Sequence, residues 1–312
     1  MPRYKFAFPI NYAVFADDSM SFQVADVSFV KKSDLSKESF FINEDKLQLE
    51  ENHIFAVVTV CGNATYAQEL AYDKCCFATD IFKICSDLYH SNFFNPKKWQ
   101  FDIDTGLVTP GKSYYFYKEL DVRAQNSLYA IYHADRYPAH IDSKVLGTVD
   151  KWNIKDFESL YRVVYSADAK SIHKVLKRAC HIYSQSFSIN NLRERVVLLC
   201  TVLDTLATNE RAGKVSQLQK YLPSFVLKCD RLSDSLKQFI EDIYNIRSAY
   251  IHNAEELDVS EREVDKLEKI VYRVILQMVR NSTKYNSTKE ICVAIDNGSF
   301  EPIMDNLPDI YI

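Results

Sequence analysis

Glycine is scarce in this chain: six in 312 residues, beside eight prolines. So few punctuating residues leave little room for flexible linkers and exclude collagen-like, low-complexity and repeat designs. No run approaches the ~20 apolar residues that cross a bilayer, so no membrane segment is expected and the protein reads as cytoplasmic. The opening stretch, MPRYKFAFPINYAVFADDS, sets basic residues before apolar ones as an export signal does. Pro9 and Asn11 interrupt the apolar part, and its aromatics suit a first β-strand of the mature protein. The eight cysteines, at 61, 75, 76, 85, 180, 200, 229 and 292, include no C-x2-C pair. Several lie in apolar runs and read as reduced, buried thiols. Cys75, Cys76, Cys85 and His90 come nearest to a metal cluster, but their spacing fits no common zinc pattern, so neither metal nor cofactor is expected. A G-x-S-x-G nucleophile elbow is absent as well.

What is present is a globular composition, 47% hydrophobic and 26% charged. The net charge of −4 is unevenly spread. Residues 1–150 carry 15 Lys and Arg against 20 Asp and Glu, residues 151–290 carry 23 against 18, and residues 291–312 carry four acids and no base. A basic segment inside an acidic chain is a modest pointer to a polyanionic partner.

The pattern changes along the chain. Residues 1–60 read as short strands, in KFAFPINYAVF, SFQVADVSFV, SFFINEDKLQLE and HIFAVVTVCG, through alternation and β-branched or aromatic content. A helix is predicted over about 66–90, with Leu70, Phe77, Ile81, Ile84, Cys85 and Leu88 near one face. After the break at NFFNPKKW, strands return in KSYYFYKEL and SLYAIYH. From about residue 150 the periodicity is helical. Phe157, Leu160, Tyr161 and Val164 form one stripe, Leu192, Val196, Leu199, Leu203 and Leu206 another, and a shorter helix ends around Pro223. Ser260 and Glu263 make a capping box before a long apolar face running from Val264 to Met278. The tail contains a strand-like run and an Asn-Gly turn. The expected organisation is α+β: a mixed domain over 1–150, an all-helical bundle over 151–290, and a tail over 291–312.

Chemistry concentrates in YNIRSAYIHNA, residues 244–254. Arg247 continues the apolar row of Leu236, Ile240 and Ile243, so its stem faces the bundle. A guanidinium there needs a carboxylate or an anionic ligand. His252 lies five positions on, about 140° around an ideal helix. The two side chains converge only if the helix ends or bends near Asn253, or if two copies build one site. Asn253 can close the helix, which leaves His252 in a last turn where the dipole favours its protonated form. An arginine for phosphate charge and a histidine for proton exchange suit phosphodiester cleavage. The plainer alternative is a core-facing arginine paired to an acid, with an unrelated helix-end histidine.

The segment IYNIRSAYIHNAEE, preceded by LRERVVLLCTVLDTLAT, resembles the HEPN superfamily (higher eukaryotes and prokaryotes nucleotide-binding), and within it the Apea-like branch. The family pattern is Arg, a polar residue and a short spacer to His, which Arg247, Ser248 and His252 fill. Asp204 stands where the family has an acid, usually Glu, on an earlier helix, and Arg193 or Arg195 matches that helix's start. Asn253 replaces a glycine. The resemblance covers about residues 155–285. It implies an all-helical, HEPN-like bundle that forms a homodimer and acts as a metal-independent endoribonuclease in anti-phage defence or a toxin-like system. RNA is then the partner, alongside a regulatory protein or phage trigger. By that likeness His252 acts on the 2′-hydroxyl or the leaving oxygen and Arg247 binds the phosphate. Ser248 assists there or caps locally, and Asp204 orients or neutralises Arg247. Some relatives carry a modifiable tyrosine two positions after the histidine, and Ala254 stands there in this chain. The alternative within the same resemblance is a non-catalytic dimerising or RNA-binding scaffold. Two further stretches are weaker candidates for RNA contact: Lys170, Lys174, Lys177 and Arg178, with His181, which also read as a solvated helix face, and the aromatic-basic run FFNPKKWQF.

Overall fold

The computed structural model describes residues 1–16, 21–38, 51–86, 116–119, 139–149, 153–187, 189, 191–210, 212–226, 233–253 and 255–305. Two units are distinct, Met1–Asp150 and Lys151–Ile312. The first is built on a largely antiparallel sheet and the second is helical, so the chain is α+β. The predicted strands at 39–50 and 127–133, and the stretch FFNPKKWQF, lie outside the described residues.

In the first unit the alternating, aromatic-rich start forms a long strand, β1 (Arg3–Phe15). The segment SFQVADVSFV is a hairpin rather than one strand: β2 (Phe22–Val24) and β3 (Val27–Lys31) pair around Ala25, whose φ is 52°. Next come β4 (His53–Cys61) and α1 (Ala64–Cys85), then β5 (Phe116–Glu119), β6 (Ala139–Ile141) and α2 (Ser143–Thr148). The sheet order is β2-β3-β4-β1-β5, with β6 parallel to the end of β1. Proline has no N–H for a ladder, and the β1–β4 register shifts directly after Pro9.

Helix α1 starts where the Asn63 side chain accepts from the Tyr66 N–H, and it covers the sheet with Phe77, Ile81 and Ile84 buried. Leu88 lies outside the described residues, and Leu70 is half-buried. The Phe22 ring stacks on Phe29 at 4.3 Å and on Phe82 at 4.2 Å, joining hairpin to helix through apolar faces.

The second unit contains α3 (Asn153–Val164), α4 (Ser171–Ser186), α5 (Leu192–Leu206), α6 (Lys214–Val226), α7 (Ser233–Ser248), α8 (Glu261–Asn281) and α9 (Thr288–Asp296). Helix α5 lies against α4, α6, α7 and α8, with Val196, Leu199, Leu203 and Leu206 fully buried. Arg195 and Glu268 are both buried and form an ion pair between α5 and α8. The box at Ser260 is present as read: its hydroxyl oxygen accepts from the Glu263 N–H while the Glu263 carboxylate accepts from the Ser260 N–H.

Two expectations are corrected here. Helix α6 does not stop at Pro223 but continues to Val226, with the proline inside. The strand-like run in the tail is α9: Ser287 accepts from the Glu290 N–H, and Ile291, Cys292 and Ala294 turn inward, a helical spacing. The described part of the tail belongs to the helical unit, since Phe300 meets Phe225 edge-on and the Gln277 side-chain amide exchanges two hydrogen bonds with the Ile303 backbone. No helix among the described residues is long and apolar enough to cross a membrane.

Candidate functional site

Helix α7 brings Leu236, Ile240 and Ile243 onto the core, and the next position in that row is Arg247. It meets the last turn of α5, where Asp204 is nearly buried. The Asp204 carboxylate is a hub. One oxygen accepts from the Tyr244 hydroxyl at 2.7 Å, the other from Lys214 Nζ at 2.7 Å, and the Arg247 guanidinium lies 3.5 Å from that second oxygen. Arg247 also lies over the Tyr244 ring, 5.6 Å from its centroid. Its Nε is buried and makes no hydrogen bond. Two cations therefore share one carboxylate, and the weaker hold is on the arginine.

Burial and the charge of its neighbours fix how these groups ionise. Burial, followed by the neighbouring Cys200 and Asp204, pushes the Tyr244 hydroxyl far above its usual range, so Tyr244 is a donor and not a base. Burial does the same to the Cys200 thiol, with Arg247 only partly opposing it, so no thiolate nucleophile stands beside the site.

An open pocket of ≈ 560 Å³ lies against Arg247. One wall is a face of α7 formed by Glu241, Tyr244, Asn245 and Ser248, at the three- and four-residue spacing of a helix. The facing wall is the start of α6, from Gly213 to Ser216.

After Ser248 the helix widens into a π-helical turn, Ala249–Asn253, and the chain leaves helical geometry there. A π turn closes on the fifth residue rather than the fourth, so it rotates His252 back toward the side of Arg247 and reduces the 140° offset of a regular helix. His252 and Asn253 are exposed and do not line the pocket. The segment that follows is clamped to α5. Arg193 donates to the backbone carbonyls of Leu257 and Glu256, at 2.8 and 3.2 Å, while the Tyr250 hydroxyl donates to Glu194. The two arginines at the start of α5 thus differ in role: Arg193 holds this loop and Arg195 pairs with Glu268.

The structure therefore brings Arg247 and Ser248 to one pocket, with Asp204 behind them bonded to the lining residues, and leaves His252 and Asn253 on the turn that follows. Lys170, at the N-cap of α4, and Lys174, Lys177 and Arg178, on α4, are elsewhere, and none lines this pocket. Lys170 is spent on the Thr283 carbonyl, and Lys177 lies over the Tyr165 ring. Among the described residues no group of three or more His, Cys, Asp or Glu is arranged to hold a metal. His90 lies outside them.

Sequence reading missed Lys214, Tyr244 and Glu241. Tyr244 stands three residues before Arg247 and could have been placed beside it, and Glu241 follows from Tyr244 and Asn245 at the spacing of three and four residues. Lys214 reaches Asp204 only through the turn between α5 and α6, which has no periodic signal. Residues 106–113, GLVTPGKS, also fit the G-x4-G-K-[ST] spacing of a phosphate-binding loop. That stretch lies outside the described residues.

Comparison with family models, with curated proteins and with solved structures finds no match to this chain.

Proposed function

We propose that the helical unit is a metal-independent endoribonuclease of HEPN type that works as a homodimer, in anti-phage defence or a toxin-like system. The observation that carries this reading is Arg247: a guanidinium at the edge of an open pocket, held loosely by Asp204 with donors still unspent, and followed by a π turn that carries His252. A guanidinium with free donors suits the non-bridging oxygens of a phosphodiester and the extra charge of its transition state. In the reaction the 2′-oxygen attacks the adjacent phosphorus and the bond to the 5′-oxygen breaks, leaving a 2′,3′-cyclic phosphate and a 5′-hydroxyl. His252 takes the proton of the 2′-hydroxyl or supplies one to the departing oxygen. Ser248, at the pocket's edge, adds a hydroxyl donor. An exposed histidine in each copy gives the two proton-transfer roles to two subunits across one cleft.

The test is cleavage of RNA by the purified protein in EDTA. Arg247→Ala and His252→Ala are each expected to slow cleavage by about 10²–10⁴. Equal cleavage by the wild type and both variants sinks the assignment. A second reading, a non-catalytic RNA-binding scaffold on the same fold, is favoured by one observation: His252 is not among the residues lining the pocket that holds Arg247. It predicts RNA binding without products in the wild type.

A further inference from the structure

The pocket against Arg247 has more in it than one arginine requires. At ≈ 560 Å³ it is far larger than a lone phosphate needs and falls within the roughly 300–1,000 Å³ of small-molecule sites. Its charge is split between its ends. Near Asp204 stand two cations, Lys214 and Arg247, with one carboxylate between them. Six residues back along α7, about 9 Å by helical rise, the exposed Glu241 offers a carboxylate to the same space, with Asn245 between. A cationic end and an acceptor end, bridged by an amide, match a ligand with an anionic group at one end and N–H or O–H donors at the other. A bare anion does not satisfy Glu241, and an apolar ligand satisfies neither end.

We propose that this pocket is a subsite for one nucleotide of the RNA, with its phosphate on Lys214 and Arg247 and its sugar hydroxyls or base amines on Glu241 and Asn245. The inference rests on the nuclease reading for its source, since the same chemistry is offered by a free mononucleotide. Lys214 is the new phosphate contact. Asp204 holds its ammonium beside Arg247, so the two cations present one paired surface. Glu241 selects for a donor-bearing ligand over inorganic phosphate.

The test uses the full-length protein in EDTA, titrated calorimetrically with each of the four nucleoside 5′-monophosphates and with inorganic phosphate. At least one nucleotide is expected to bind ten-fold or more tightly than phosphate. Lys214→Gln is expected to weaken that nucleotide at least ten-fold. Glu241→Gln, at an exposed position where folding is not at risk, is expected to weaken it at least five-fold while leaving phosphate within two-fold. Absence of any nucleotide preference over phosphate, or wild-type affinity in both pocket variants, overturns the subsite. A short RNA that displaces the bound nucleotide supports RNA as the source. An RNA that binds without displacing it overturns that source. The two readings fail separately: nucleotide binding without RNA cleavage removes the nuclease and keeps the subsite, and cleavage without nucleotide binding does the reverse.

Discussion

Two buried ionisable groups, one in each unit, are held in opposite states. In the sheet unit His53 is almost fully buried on β4, and burial, its largest influence, lowers its pKa to about 4. A hydrogen bond with the Ile10 backbone opposes that shift and the Lys32 charge adds to it. At neutral pH this imidazole is uncharged. In the helical unit Arg195 and Glu268 are equally buried but charged, each neutralising the other, and Arg280 is similarly set against Asp156 and Asn153. A buried neutral base makes stability depend on pH, whereas a buried pair makes it depend on both partners being present. The candidate site belongs to the second kind, with one difference: Asp204 has two cations, so charge is left over for a ligand.

The sharpest break of that comparison is Glu268→Ala, which leaves the Arg195 guanidinium buried and uncompensated. A loss of about 3–5 kcal/mol is expected, read as faster hydrogen exchange in α5 and α8 with β1 and β4 unchanged. The double replacement Arg195→Met with Glu268→Leu is expected to recover most of it. Equal loosening of the sheet strands contradicts an effect confined to α5 and α8.

Acidification strikes the other unit. Unfolded His53 takes up a proton below its ordinary pKa of 6.5, while the folded protein resists until about 4. Stability is therefore full above pH 6.5 and falls as the pH drops through that window, by about 3 kcal/mol in all. Exchange in β4 between pH 7 and 4 checks this, and His53→Leu is expected to flatten the profile. His173, lowered first by burial and then by Lys170, shifts in the same sense at the start of α4, where its Nδ1 accepts from the Lys170 N–H. A smaller acid response is therefore expected in the helices.

Two local changes give smaller effects. Ser260→Ala removes the capping box of α8 and is expected to cost about 1 kcal/mol in thermal unfolding. Hydrogen bonds from the Ser260 backbone and side chain hold the Glu263 carboxyl below its usual range, and that depression is expected to shrink in Ser260→Ala but not vanish, because the backbone N–H remains. Ala25→Gly relieves a left-handed backbone and is expected to stabilise the sheet unit by about 0.5–1 kcal/mol.

These elements also show what sequence could and could not carry. The cap at Ser260 was legible because it is settled within four residues, and β1 and β4 because alternation and aromatic content agree. The hairpin at Ala25 was not, because neither glycine nor asparagine marks it. The run Ile291–Ile295 is a short apolar stretch that fits strand or helix alike, and only the cap at Ser287 decides it. At the site, Arg247 was legible from its place in an apolar row. Its loose hold on Asp204 was not, because that depends on Lys214, which only the turn after α5 brings near. The five-residue spacing to His252 pointed to irregular geometry, but whether the helix would bend, end or widen was a matter of backbone hydrogen bonding that side-chain pattern does not encode.

The Arg193 clamp has a consequence for how the surface beside His252 can vary. Its two hydrogen bonds go to main-chain oxygens of Glu256 and Leu257, which every residue type offers. The accompanying ion pairs to Glu256 and Asp258, at 3.7 and 3.8 Å, involve exposed carboxylates and contribute little. The path of this loop is therefore set from α5, while its side chains are left unassigned. Residues 255–258 can be exchanged wholesale, acidic for basic or polar for aromatic, and the turn that presents His252 stays where it is.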